Sequence, residues 1–501
     1  MFCVDRSRQA VRLRPSLSLD RLEERQLLSA LPAASLPALP VQPDIQPPGV
    51  VVPLSLPSSF PSAVYTPSQV RTAYGVNLIP GEGQGMTIAI VDAFSQPFIQ
   101  SDVNEFSTLF GLPKMDGVGG DPTLSVLVPP GQSTPPPAST EPGLWGFEIS
   151  LDVEWVHAIA PMANIDLITC QNSSSLSLYE AEVAGEPYQS GVGYAKTLPG
   201  VVVVSNSYGG AEFSQETLVD SQFTTPGNDV AFVFSTGDTG APASYPSSSP
   251  NVVAVGGTSL YTRSIAGKYG SEIGWSLGSD PGSPNSASTG GVSQFEPTPS
   301  YQSSNGVNFG SRSTPDVSWL GDPNTGVWII DSEDAPGFLI QEGGTSLAAP
   351  MWAGLIALGD QTRGAAGSLS SQGVLDAVYG AYNSSSYSTD FHDETVGFNG
   401  FNAGTGYDLV TGIGSPIAPA VANLLGSATP AVVRGPGAFA VSRAVVRFPT
   451  ILYSPGPGTT HIYQMMPIQS PPNVVEVGAI PDLVTTTDIP SAKKIGSQPS
   501  S

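Results

Sequence analysis

Cysteine and histidine are the scarcest chemistry-bearing residues in this 501-residue chain, with two Cys (Cys3, Cys170) and three His (His157, His392, His461). Cys3 lies in a segment expected to be removed or disordered, which leaves Cys170 unpaired. A disulfide framework and a cysteine-based zinc site are therefore excluded. So is any mechanism that needs several histidines. Positive charge is also short: 18 Lys+Arg stand against 42 Asp+Glu, a formal charge of −24. Phosphate binding needs clustered Lys and Arg, so no nucleic-acid partner is expected. No run of about 18 apolar residues occurs, so no membrane span is expected either.

What the chain does have is apolar and small. Apolar residues make up 40%, enough for a sizeable core, and only 12% are charged. Its 56 Gly and 49 Pro stay below the ~25–30% of a low-complexity chain. The surface should be Ser, Thr, Asn and Gly, with acids as its main charge. That composition fits an exported, acid-tolerant protein, extracellular or cell-surface associated.

Four regions follow along the chain. Residues 1–30 read as a leader or export segment. Their start is basic, and Arg21-Leu22-Glu23-Glu24-Arg25-Gln26-Leu27-Leu28-Ser29-Ala30 resembles the leader of exported planctomycete proteins. Residues 31–61 are punctuated by proline and read as a semi-rigid linker. Residues 427–501 read as a low-complexity C-terminal tail with a few strands, at Ala440–Phe448 and His461–Met466. Between them, 62–426 alternates apolar runs with Gly/Ser/Asp loops. Met86–Val91, Ile165–Thr169, Val201–Ser205, Val230–Phe234 and Val252–Val255 are short, β-branched and continuously apolar. Such runs suit strands buried on both faces of a parallel sheet. Helical stretches separate them, at Gln100–Phe110, Trp145–Ala160 and Ser346–Gln361. The alternation predicts an α/β fold with a doubly wound, mostly parallel sheet and helices on both faces. Ligands then bind beyond the carboxyl ends of the strands. Asp92, Ser205-Asn206-Ser207 and Asp238 all stand there.

Three motifs carry chemistry. In Gly343-Gly344-Thr345-Ser346-Leu347-Ala348-Ala349-Pro350 two glycines turn the chain into an apolar helix. Ser346 then has its own N–H at the positive helix end, suited to an oxyanion; its bland alternative is a helix N-cap. The hydrolase elbow G-x-S-x-G is absent, since Ala348 holds its last position. Glu148 and Asp152 sit four apart in Trp145–Ala160. They share a helix face, with Cβ atoms roughly 5–6 Å apart. Repulsion and burial should raise at least one pKa, giving a proton-sharing pair able to act as a base; the alternative is a solvated acidic face. His157 is nine residues from Glu148, about 900° around the helix, and so on the opposite face. It reads as a packed or surface histidine. Asp238, within Ser235-Thr236-Gly237-Asp238-Thr239-Gly240, ends a strand. Protonated, it could donate to an oxyanion; otherwise it is a turn residue.

Glu-x-x-x-Asp, S-x-G-D-x-G and G-G-T-S-x-x-x-P, in that order, resemble the sedolisin family of serine-carboxyl peptidases. Ile90–Ala93, Phe147–Pro161, Pro315–Ser318 and Gly406–Gly414 are similar too, and the resemblance spans about 62–420. It implies a subtilisin-like fold and an acid-active serine-type endopeptidase. Ser346 would be the nucleophile, Glu148 the general base, Asp152 the acid orienting it and Asp238 the oxyanion-hole acid. Asp92 is the candidate for a further acid in that network. Ser207-Tyr208-Gly209 resembles the family's S-W-G strand edge, with Tyr208 for Trp. The segments 391–397 and 404–408 resemble the family's calcium loop. Asp393 and Asp408 would ligate one structural Ca²⁺ through carboxylates, and Glu394, Gly404 and Gly406 through carbonyls. The family usually has Ile or Val where Glu394 stands, so its side chain is expected to add charge. Sedolisins usually carry a long inhibitory pro-domain. Only a leader and linker precede the core here, so zymogen control of that kind is not expected. The expected partners are polypeptide substrates, for a monomeric enzyme. Two rivals are a catalytically weak surface binding module of the same fold and a glycosidase using Glu148 and Asp152. The latter leaves Gly343–Pro350 unexplained.

Overall fold

The five apolar runs become the middle of one sheet. We describe the protein from a computed structural model over residues 39–44, 51–54, 64–134, 136, 144–180, 189–225, 229–279, 284–364 and 367–428. The leader, Cys3, His461 and the tail from 429 on, with its two expected strands, lie outside the described residues.

In chain order the strands that matter are β1 (Gln42–Pro43), β2 (Val51–Pro53), β3 (Thr87–Ala93), β4 (Leu124–Leu127), β5 (Asn164–Cys170), β6 (Val201–Asn206), β7 (Tyr208–Ala211), β8 (Ala231–Ser235), β9 (Ser244–Tyr245), β10 (Val253–Thr262) and β11 (Tyr269–Gly274). The central eight-stranded sheet runs β11-β10-β8-β6-β3-β5-β4, with Val317–Leu320 paired parallel to β10. Only the β10–β11 pair in it is antiparallel. Successive residues of β3 point to opposite faces: Ile88 and Ile90 join one apolar cluster, Ala89 and Val91 the other. Buried faces on both sides explain why these strands read as continuous apolar runs.

Three helices are labelled: α1 (Ile99–Phe110), α2 (Leu144–Ile159) and α3 (Thr345–Arg363). Every residue of α2 from Trp145 onward is buried. α2 and α3 touch at Gly354, where a Cβ would lie 2.8 Å from Ile159 Cγ2. Only a residue without a side chain allows that approach. The two helices carrying the serine and carboxyl motifs are thereby held against each other.

The segment expected to be a linker departs from that reading. Within it, β1 pairs antiparallel with β7, and β2 pairs antiparallel with Phe338–Ile340. A Pro-rich composition hid these strands, because proline removes N–H donors and is tolerated only at edges. The last described helix, Ala418–Ser427, ends on the first residue of the expected tail.

Candidate active site

Ser346 opens α3 after the Gly343-Gly344 turn. A Cβ on Gly343 would meet Pro323 Cα at 2.6 Å and Gly321 O at 2.7 Å, so this approach needs glycine. Gly344 has φ 114°, in the left-handed region glycine favours. Ser346 is fully buried. Its N–H donates to the Asp44 carbonyl oxygen at 3.2 Å, and its hydroxyl donates to Ser207 O at 3.4 Å. The N–H is therefore holding a peptide carbonyl where an oxyanion would form.

Glu148 and Asp152 project from α2 with no solvent exposure. Neither Glu148 oxygen has a hydrogen-bond partner among the described residues. Burial, then the charges of Asp152 and Asp92, push Glu148 well above the usual carboxyl range, against a pull from the Ser346 hydroxyl. Asp152 accepts from the Ser207 hydroxyl at 2.8 Å. Burial, then Asp92, raises it well above its usual range, while Ser207 opposes. Asp92, on β3, has no hydrogen-bond partner for either oxygen among the described residues and is pushed by burial up to about 8. Like charges in one dry space cannot all ionise, so these carboxyls share protons. A group holding one charge and its remaining protons can accept a serine proton.

Asp238 follows β8. Its Oδ1 accepts from Thr345 N–H (2.8 Å) and from Thr345 Oγ1 (3.0 Å). Thr345 Oγ1 also accepts from Gly237 N–H at 2.9 Å, tying the strand end to the start of α3. Motifs separated by up to about two hundred residues thus converge at the carboxyl ends of β3, β6 and β8, where a doubly wound sheet binds ligands.

His157 faces away from this group. It is buried, contacts Ser107 Oγ (3.0 Å) and Pro113 O (2.8 Å), and burial lowers it to about 4. His392 stacks on Tyr269 with ring centroids 3.9 Å apart. Sequence reasoning missed Asp44, which enters the site from the N-terminal segment and accepts at 2.6 Å from the hydroxyl of Ser235, the first residue of the Asp238 motif. The only signal for Asp44 was the polar residue ending Val41-Gln42-Pro43-Asp44.

The loop expected to hold calcium closes on itself. Both Asp393 oxygens accept from Gly406 N–H at 3.1 Å. Asp408 accepts from Gly404 N–H at 2.8 Å and, through its other oxygen, from Val410 and Thr411 N–H. The Glu394 carboxylate does not add charge there: it is buried and accepts from the Ser415 hydroxyl (2.8 Å) and N–H (3.2 Å). Among the described residues no three His, Cys, Asp or Glu side chains are grouped so as to hold a metal.

A subtilase family profile matches residues 150–374. Sedolisin from Pseudomonas sp. (strain 101) is 42% identical over 177 residues, 34% of this chain and 28% of that one. Kumamolisin from Bacillus sp. (strain MN-32) is 30% identical over 395 residues, 72% of this chain and 63% of that one. The chain thus spans less than two thirds of the length of these curated relatives. Among solved structures, Pseudomonas sedolisin, a serine-carboxyl proteinase complexed with two molecules of pseudo-iodotyrostatin, superposes with a TM-score of 0.59. It is 27% identical, with 72% of this chain and 98% of that one covered.

Proposed function

Because the chain belongs to the sedolisin family, with its subtilisin-like fold, we propose that it is an acid-active serine-carboxyl endopeptidase working through an acyl-enzyme on Ser346. The observation that carries this reading is the Ser346 N–H bonded to a peptide carbonyl at 3.2 Å, in a site lined by buried carboxyls. In the proposed reaction the Ser346 hydroxyl attacks the scissile carbonyl and Glu148 takes its proton. Asp152 shares that proton and orients Glu148. The oxyanion receives the Ser346 N–H and the protonated carboxyl of Asp238. Glu148 then returns the proton to the leaving amine, and water hydrolyses the ester. Asp92 would hold a further proton in the network. Endopeptidase action is favoured because the cleft takes an internal stretch, Leu39–Asp44, with chain continuing at both ends.

A structural Ca²⁺ belongs to the same proposal. The oxygen-only donor set of Asp393 and Asp408 carboxylates, with the Glu394, Gly404 and Gly406 carbonyls, suits that ion. Its role would be to neutralise two acids and brace the loop. Export to an extracellular or cell-surface setting fits the composition and the acid chemistry.

Casein hydrolysis at pH 4 tests the reading. Ser346→Ala should lose roughly 10⁴-fold or more of the wild-type rate. Equal rates in the two proteins would exclude the acyl-enzyme, and inactivity of wild type would favour the binding-module rival.

A further inference from the structure

Asp44 is a side chain seated beside the nucleophile, and its contacts say which side chains that seat takes. Gln42 and Pro43 stand opposite Gly209 and Tyr208 in antiparallel register. Asp44 N–H then donates to Ser207 O at 3.2 Å, and the Asp44 carbonyl accepts from Ser346 N–H at 3.2 Å. These two main-chain bonds, one on each side of its Cα, put Asp44 where the residue attacked by Ser346 would stand. They also fix the direction in which the side chain at that position leaves the backbone.

That direction leads onto the end of β8. Asp44 Oδ2 accepts from the Ser235 hydroxyl at 2.6 Å. Glycines flank both oxygens: a Cβ on Gly209 would lie 3.6 Å from Oδ2, and one on Gly237 3.6 Å from Oδ1. Ser235 itself is buried, at 1% exposure. The charged groups that bear on the Asp44 carboxyl are both acids, Asp238 beyond β8 and Glu148 on α2. Burial, then Asp238, raises Asp44 well above the usual carboxyl range, while Ser235 opposes. A carboxyl in this seat is therefore neutral in acid. An apolar side chain here would leave the Ser235 hydroxyl without that acceptor, and an ionised one would meet two acids.

We infer that Ser235 is a specificity-determining residue, selecting substrates in which the residue on the acyl side of the cut is a protonated aspartic acid or an asparagine; this rests on the peptidase reading above. Both side chains are short, uncharged and carry an oxygen that can accept the Ser235 hydroxyl. They differ in one respect. Asparagine is neutral at every pH, whereas a peptide aspartate ionises near ~4 in water. Only the protonated fraction of an aspartyl substrate fits a seat faced by Asp238 and Glu148. Preference for aspartate over asparagine is thus set by the substrate's own proton, and preference for either over leucine by Ser235.

The full chain is assayed on internally quenched peptides containing Val-Gln-Pro-Xaa-Ala-Ala, with Xaa as Asp, Asn, Leu or Lys. The cut bond is located by mass, and casein hydrolysis is read in parallel. At pH 3.5 wild-type kcat/KM for cleavage after Xaa should be roughly tenfold or more higher for Asp and Asn than for Leu and Lys. From pH 3.5 to pH 5.5 the Asp-to-Asn ratio should fall by roughly tenfold or more, while the Asn-to-Leu ratio holds. Ser235→Ala should lower its own Asn-to-Leu ratio by roughly tenfold. The two wild-type comparisons stand without that variant. Wild type that hydrolyses casein but cuts after Leu or Lys as fast as after Asn overturns the inference and leaves the peptidase reading standing. So does a flat Asp-to-Asn ratio, which would mean that the seat takes the carboxylate. A wild-type Asn-to-Leu ratio in Ser235→Ala overturns the role of Ser235. Wild type inactive on casein and on every peptide overturns both readings.

Discussion

Asp238 and Glu148 are the same kind of group set to opposite tasks. Glu148 must carry a charge at the moment it takes the Ser346 proton, whereas Asp238 must keep its proton to donate to the oxyanion. Their neighbours differ: the Ser346 hydroxyl bears on Glu148, while Asp238 Oδ1 accepts from the N–H and hydroxyl of Thr345. Asp238→Asn replaces a titrating donor with an amide that donates at any pH. Its activity should extend toward neutrality, with a peak lowered by about 10²-fold. A kcat/KM profile for this variant with the wild-type alkaline limb would remove Asp238 from that role. All four proposed catalytic residues were legible in the sequence because each belongs to a spaced motif. Ser207, which donates to Asp152, was legible only as part of a strand edge. Asp44 was not legible, because its partners lie some 160 to 300 residues away and no local pattern links them.

At the scale of elements, hydrophobic pattern and structure agree closely where burial is two-sided. The run read at Met86–Val91 is β3 at Thr87–Ala93, and the helix read at Ser346–Gln361 is α3 at Thr345–Arg363. Strands that pair at an edge, such as β1 and β2, leave no such pattern. Their stability comes from backbone bonds to β7 and to Phe338–Ile340 rather than from their own composition. The 393–408 loop is a further element whose sequence signal is clear. Its two carboxylates accept backbone N–H groups and, at Asp408, the Thr411 hydroxyl, and a bound Ca²⁺ would stabilise the closed form by mass action. Chelator should lower the wild-type melting temperature by ~5 °C or more, a shift worth about 2 kcal/mol in a domain this large. Asp408→Ala should show the lowered value without chelator. Identical melting curves with and without chelator, in metal-stripped buffer, would remove calcium from the account.

The whole molecule has buried acids far beyond the site. Burial pushes Asp360 up to about 8 and Asp331 up to about 7. Unfolded, they would titrate near ~4, so between pH ~4 and ~8 the native state binds more protons than the unfolded chain. Stability is then fully present below ~4 and is lost as pH rises through 7 to 8. His157, lowered to about 4, works the other way, since the unfolded chain gains a proton below ~6.5 that the native state refuses. The carboxyls outnumber it, so the melting temperature should fall by at least ~5 °C from pH 4.5 to pH 8. A rising melting temperature over that range would contradict the burial argument. The net charge of −24 gave the acid character of the chain, but not which acids are buried; that depends on packing between distant segments. The central claim is that carboxyls, not an imidazole, run a serine nucleophile. It is tested most directly by the pH dependence of wild-type kcat/KM on a peptide substrate. The account expects a bell confined to the acid range, falling below roughly pH 3 as the Glu148–Asp152 pair takes its second proton and above roughly pH 6 as the oxyanion carboxyl ionises. Activity that keeps rising from pH 6 to pH 8 would contradict it.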